Sequence, residues 1–166
     1  MSTQSGKIGR HRFHGDPKRF EVITDFVISK YGKKIKYIAD VAGGRGMLTR
    51  MLNKKNYEAE VVDPRGWALK GVPTREEEFN SEMADYYDLI IGLHPDEATR
   101  AVVESAKVSL TLIIPCCNFW DRSKTLGRDA LIGEIENYYI ENNIAYEKIT
   151  FDFKGPMNIG LSTVPQ

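Results

Sequence analysis

Four groups of residues in this 166-residue chain have types and spacings that bear chemistry. The first is the run Asp40-Val41-Ala42-Gly43-Gly44-Arg45-Gly46, followed one β-α-β unit later by Asp63. Glycines let a backbone turn sharply and let a ligand approach without interference from Cβ. A carboxylate at the end of the next strand is placed to accept hydrogen bonds from two ribose hydroxyls. A dinucleotide fingerprint would need a small residue where Thr49 stands, so the loop fits a methionine-like chain better than a pyrophosphate. A glycine-rich turn with no ligand is the plainer alternative.

The second group is His94-Pro95, directly after the apolar run 87–93, and the third is Pro115-Cys116-Cys117-Asn118. Imidazole titrates where a general base is useful, so His94 is a candidate base. It could equally contact a cofactor or cap the helix that Pro95 opens. The two cysteines read as small core residues at a strand end, as walls of an acceptor pocket, or as a nucleophile. The last role requires a nearby cation to lower a thiol pKa. Asn118 either hydrogen-bonds a polar acceptor or forms the turn. The fourth group is N-terminal: Arg10, Arg12, Phe13 and His14, with Lys7, Lys18 and Arg19 nearby. Cations interleaved with an aromatic ring can hold phosphates and stack a base, and a solvated basic tail is the bland alternative.

These groups need elements to carry them. Asp16-Pro17 starts a helix over 17–31, with an apolar face at Phe20, Ile23, Val27 and Tyr31 and a stop at Gly32. Strands are expected over 35–42, 59–62, 87–93 and 110–115, with a short third strand near Val72. Helices are expected over 47–53, 94–107 and 129–142, with a helical turn over 67–69. Strands over 144–153 and 158–164 close the chain around Gly155-Pro156. Apolar strands separated by helices give a parallel sheet covered on both faces. Residues 1–16 then form a flexible or lid-like segment ahead of a single domain over 17–166.

Lys and Arg total 23 and Asp and Glu total 23, so a uniformly basic nucleic-acid coat is excluded, whereas a local basic patch is not. Apolar content of 42% and charged content of 28% exclude a disordered or collagen-like chain. The only two cysteines are adjacent, a spacing that rarely permits a mutual disulfide. No C-x-x-C pair or histidine cluster completes a zinc site, so reduced thiols, no metal and a cytoplasmic location are expected. No signal-peptide core is present, and no apolar run is long enough to span a membrane.

The run Asp40 to Gly46 resembles the first motif of class I S-adenosylmethionine-dependent methyltransferases, usually Asp-x-Gly-x-Gly-x-Gly, with Ala42 in place of the first glycine. The resemblance implies a Rossmann-like α/β fold, a mostly parallel seven-stranded sheet in the order 3-2-1-4-5-7-6 with helices on both faces. It implies S-adenosylmethionine as cofactor, its methionine part held by Asp40, Ala42, Gly43, Gly44 and Gly46. Asp63 would hold the ribose, flanked by Pro64 and Arg65. The adenine would lie near 76–80, with Glu78 and Phe79 as the named candidates, and His94 would also reach the cofactor.

His94-Pro95 and Pro115-Cys116-Cys117 are similar to a subset of that family whose fourth strand ends in Leu-His-Pro/Ala-Cys-Gly and whose fifth ends in Pro/Gly-Cys-Cys-Tyr/His. Some of those members act on RNA. Asp96-Glu97 and Asn118-Phe119 depart from the pattern. The implied activity is methyl transfer to RNA, tRNA or rRNA, with His94, Cys116, Cys117 and Asn118 as catalytic candidates and Arg10, Arg12, Phe13 and His14 as substrate contacts. A large RNA would need this small surface, a homodimer or a partner subunit. The alternatives are a non-catalytic cofactor-binding or regulatory subunit and a nicotinamide-dinucleotide-binding domain.

Overall fold

Alternation of apolar side chains along the central strands sets the layers. Strand β1 (Tyr37–Val41) sends Ile38 to one face and Ala39 and Val41 to the other. Strand β4 (Leu89–Leu93) sends Leu89 and Ile91 to the first face and Ile90 to the second. Strand β5 (Leu110–Ile114) repeats this with Leu112 and Ile114 against Ile113. Both faces are therefore apolar, and each must be covered by helices. On the first face lie α1 (Arg19–Tyr31) and α2 (Met47–Lys54), which bury Ile23, Val27, Leu48 and Leu52. On the second lie α3 (Thr99–Glu104) and α4 (Arg128–Glu141), which bury Val102, Val103, Leu131, Ile132 and Ile135.

The computed structural model describes residues 15–165. With β2 (Glu58–Val62), β3 (Thr74–Arg75), β6 (Tyr146–Thr150) and β7 (Ile159–Thr163), the strands form one sheet in the order β3-β2-β1-β4-β5-β7-β6. The pairs β1/β2, β1/β4, β2/β3 and β4/β5 are parallel, and β7 runs antiparallel to both β5 and β6. The strand order reverses between β1 and β4, and a ligand crevice is expected beyond the carboxyl ends there.

Several boundaries differ from expectation. Helix α1 begins at Arg19; Pro17 and Lys18 form a turn in which the Asp16 side chain accepts from the Lys18 amide at 3.0 Å. Gly32 does end it, with φ of 54° and its N–H returned to the Ile28 carbonyl. No helical turn forms over 67–69, where the Leu69 amide donates instead to the Arg45 carbonyl at 3.0 Å. The third strand lies at Thr74–Arg75 rather than at Val72, whose side chain packs against Gly46. The stretch after Pro95 is α-helical only over α3, with 3-10 turns at Asp96–Ala98 and Ser105–Lys107 on either side. No helix among the described residues is long and apolar enough to cross a membrane.

Candidate functional site

The turn after β1 is built by three close approaches. The Ala42 amide donates to the Val62 carbonyl at 2.9 Å, and the Gly46 amide closes back on the Gly43 carbonyl at 3.0 Å. Gly43 sits directly over Asp40: a Cβ there would lie 2.6 Å from the carboxylate. Gly46, with φ of 81°, would place a Cβ 2.5 Å from Val72 Cγ1. Both positions therefore require glycine. Ala42 adopts φ of 54°, the left-handed region that a glycine occupies without strain.

Asp40 is buried behind the turn. Its Oδ2 accepts from the Thr49 amide at 3.2 Å and the Thr49 hydroxyl at 2.9 Å, tying β1 to the first turns of α2. Burial raises its pKa to about 6 against the opposing pull of these Thr49 hydrogen bonds. Asp40 thus shapes the loop from beneath and is not part of the cavity wall. Thr49, the residue that breaks the dinucleotide pattern, is the partner that Asp40 needs.

Asp63 is 1% exposed and its acceptor positions are filled. Oδ1 accepts from the Arg65 amide and Arg65 Nε, both at 2.9 Å; Oδ2 accepts from the Gly44 amide at 3.0 Å and Arg65 Nη2 at 2.7 Å. Burial alone would raise the Asp63 pKa, but the Arg65 and Gly44 hydrogen bonds outweigh it and hold the carboxyl below its usual range. The Arg65 guanidinium lies between Asp63 and open space, 4.2 Å from the centre of the Trp67 ring. Trp67 is 58% exposed.

Arg65 and Trp67 border a cavity of about 1090 Å³ at the reversal of strand order. One wall holds Ala42, Gly43, Gly44, Arg65 and Trp67; the opposite wall holds His94, Asp96, Cys116 and Cys117. Gly15–Phe20 and Phe153–Met157 close it from the sides, pinned together where the Lys154 amide donates to Asp16 Oδ2 at 2.9 Å.

On the far wall, His94 and Asp96 flank Pro95 with φ of 51° and 48°, two non-glycine residues in the left-handed region at the mouth of a cavity. His94 Nε2 donates to the Met157 carbonyl at 2.8 Å, which leaves Nδ1 as the accepting nitrogen. Burial lowers its pKa, outweighing the Met157 hydrogen bond, and the nearby Arg19 charge lowers it further, so the ring is neutral at pH 7. The Cys116 thiol donates to Asp96 Oδ1 at 3.0 Å. Burial and this carboxylate push the thiol pKa up, the opposite of what a covalent nucleophile requires. Beyond Ile114 the strand has ended and side-chain alternation lapses, so both cysteines reach the cavity and neither is a core residue.

Other expectations fall away from this wall. Asn118 spends its amide group inside its own loop, donating to the Asp121 and Lys124 carbonyls at 2.7 and 2.8 Å and accepting from the Trp120 and Asp121 amides. It forms the turn and does not border the cavity. Phe79 is a core residue and Glu78 is exposed elsewhere, and neither touches the cavity. Gly46 and Asp63 are buried, Pro64 is exposed, and none of the three borders the cavity. Arg10, Arg12, Phe13 and His14 lie outside the described residues. The sequence marks Arg65 only as a flank of Asp63 and does not place Trp67 or Asp96 on the cavity, which all three border. The basic-aromatic pair Arg65 and Trp67 just after Asp63 was the available signal for the first two.

The chain matches no protein-family model. It is 28% identical over 153 residues to a Caenorhabditis elegans protein named "Probable tRNA (uracil-O(2)-)-methyltransferase", covering 80% of this chain and 27% of the relative. The chain thus spans about a quarter of that relative's length. Among solved structures, it superposes on a SAM-dependent methyltransferase from Aquifex aeolicus with a TM-score of 0.56 at 17% identity, over 95% of this chain and 96% of that one. It also superposes on magnesium protoporphyrin IX methyltransferase from Synechocystis with bound SAM, with a TM-score of 0.58 at 13% identity, over 90% and 79% of the two chains. The chain has the class I methyltransferase fold, with the strand order expected from its first motif.

Proposed function

We propose that this chain is an S-adenosylmethionine-dependent methyltransferase whose cavity holds the cofactor along the turn Ala42–Gly46 and receives an RNA acceptor on the His94 side. The observation that carries the reading is the convergence, on one cavity, of two unlike walls. A glycine-lined wall backed by a buried carboxylate faces a polar wall with a neutral imidazole. The similarity to a tRNA methyltransferase over most of the chain supports RNA as the acceptor class.

The cradle is open to a cofactor at Gly44, which borders the cavity and where the nearest atom to a Cβ would be Arg65 Nη2 at 4.0 Å, while Gly43 and Gly46 shape the turn by packing on Asp40 and Val72. Asp63 fits its ribose only after a rearrangement, since Arg65 now takes the acceptor positions that two hydroxyls would use. Arg65 is 38% exposed and has the Trp67 face to rest on, so its release leaves the Gly44 and Arg65 amides still on the carboxylate. When bound, S-adenosylmethionine supplies a methyl group already activated by the sulfonium charge. The protein's own work is alignment, exclusion of water and handling of one proton. The walls from Gly15–Phe20 and Phe153–Met157 restrict water, and His94 Nδ1 accepts the proton that an acceptor hydroxyl loses. Cys116, whose thiol is turned to Asp96 Oδ1, borders the acceptor space without attacking.

The test is transfer of labelled methyl from S-adenosylmethionine to total RNA, protein and small-molecule pools. Label in the RNA pool that is lost in Asp63→Ala supports the reading. Label confined to another pool contradicts the RNA acceptor, and none in any pool despite cofactor binding leaves a binding subunit.

A further inference from the structure

Asp96 on the β4–α3 connection and Cys116-Cys117 past the end of β5 meet at the acceptor wall. Their ligand atoms, one carboxylate oxygen and two sulfurs, all lie within 4.8 Å of one another. We propose that these three side chains bind one zinc-class divalent cation with its fourth position open to the cavity.

The geometry is close to what such an ion needs. Tetrahedral zinc with bonds of about 2.3 Å to sulfur and about 2.0–2.2 Å to oxygen places neighbouring ligand atoms roughly 3.5–3.8 Å apart. The present cluster reaches that with side-chain adjustments of about 1 Å or less. In the contact that already exists the Cys116 thiol donates its proton to Asp96 Oδ1 at 3.0 Å. A cation takes the place of that proton. Two thiolates and a carboxylate form a borderline-soft set that selects zinc over magnesium or calcium. Three protein ligands with one position left open is the arrangement of a reactive zinc centre, and a structural site would be closed. Cys116, Cys117 and Asp96 all border the cavity, so the open position faces the space where an acceptor enters. An oxygen or sulfur acceptor bound there is fixed in place and loses its proton more readily.

The spacing explains why no sequence pattern announces the site. The third ligand comes from a different strand end, twenty positions before Cys116. The family resemblance points the other way, since Asp96 stands where the similar subset has a cysteine. A carboxylate keeps the ligand set complete at that position.

The binding claim does not depend on methyl transfer and is tested on the full chain with metal alone. The protein is stripped with a chelator under reductant, and Zn²⁺ is titrated by calorimetry in buffers of differing ionisation heat. Co²⁺ is titrated in parallel by absorption. The expected result is one ion per chain, up to two protons released as the thiols ionise, and a thiolate-to-cobalt charge-transfer band. Cys117→Ser, at an exposed position, is expected to weaken binding about tenfold or more, and Asp96→Asn similarly. Thermal unfolding without metal checks that each variant is folded. Less than about one tenth of an ion per chain, or affinity unchanged in both variants, would overturn the proposal. Loss of zinc binding with cofactor binding intact, or the reverse, separates its failure from that of the methyltransferase reading.

Discussion

Ala42, Asp40 and the Asp63–Arg65 pair each carry a separate cost or constraint at single positions. Ala42 holds a left-handed backbone that costs an L-residue about 1–2 kcal/mol. Glycine would remove that strain and give back part of the gain through a freer unfolded chain. Ala42→Gly is therefore expected to stabilise the protein by about 0.5–1 kcal/mol in urea denaturation, where an alanine-to-glycine change ordinarily destabilises. Asp40 titrates near 6 in the folded protein against an ordinary 3.8, because burial disfavours its charge. Its contribution to stability is therefore fully present below about 3.8 and is lost as pH rises through about 6. The loss is on the order of 3 kcal/mol. Asp40→Asn keeps an oxygen for Thr49 and removes the titration, so its stability relative to wild type should grow between pH 4 and pH 7. A difference that stays constant over that range contradicts the assignment. For Asp63 and Arg65 the opposed effects are diagnostic. Asp63→Ala should weaken binding of S-adenosylhomocysteine by about 1–3 kcal/mol, and Arg65→Ala should tighten it several-fold by freeing two acceptor positions.

Among the elements, the connection from β4 into α3 matters most. It places His94 and Asp96 in strained conformations on either side of Pro95 and turns both toward the cavity. If His94 is the base, kcat/KM for methyl transfer requires the neutral ring, so the rate falls as pH drops through a value below 6.5. His94→Gln should lose that acidic limb and about 10²–10⁴ in rate, while cofactor affinity changes little. Much at this scale was legible in the sequence. Apolar periodicity marked every central strand and the three longer helices, and the glycine run marked the tight turn after β1 that borders the cavity. What was missed involves short or side-chain-dominated structure. The short third strand expected near Val72 lies two residues further on, at Thr74–Arg75, because its place is set by pairing with β2, a contact that local sequence does not encode. Phe79 lies in the stretch expected at the adenine, but its ring belongs to the core cluster that includes Tyr87 and Val62. Asn118 satisfies four backbone groups, a role that residue type alone could not separate from substrate binding.

For the whole molecule, the apolar strands bury both sheet faces and leave the reversal between β1 and β4 as the place where loops from both halves meet. The glycine wall and the polar wall belong to opposite halves of the sheet, so the two are brought together only by the complete fold. Thr49, at the position that the dinucleotide pattern keeps small, is committed to Asp40, which disfavours a nicotinamide dinucleotide at this turn. The central claim is therefore about which nucleoside the cavity takes. Calorimetric titration of the chain with S-adenosylhomocysteine and, separately, NAD measures it directly. The expected result is one equivalent of S-adenosylhomocysteine bound, with affinity lost in Asp63→Ala and NAD showing no heat. Saturable NAD binding with no response to S-adenosylhomocysteine would contradict the account.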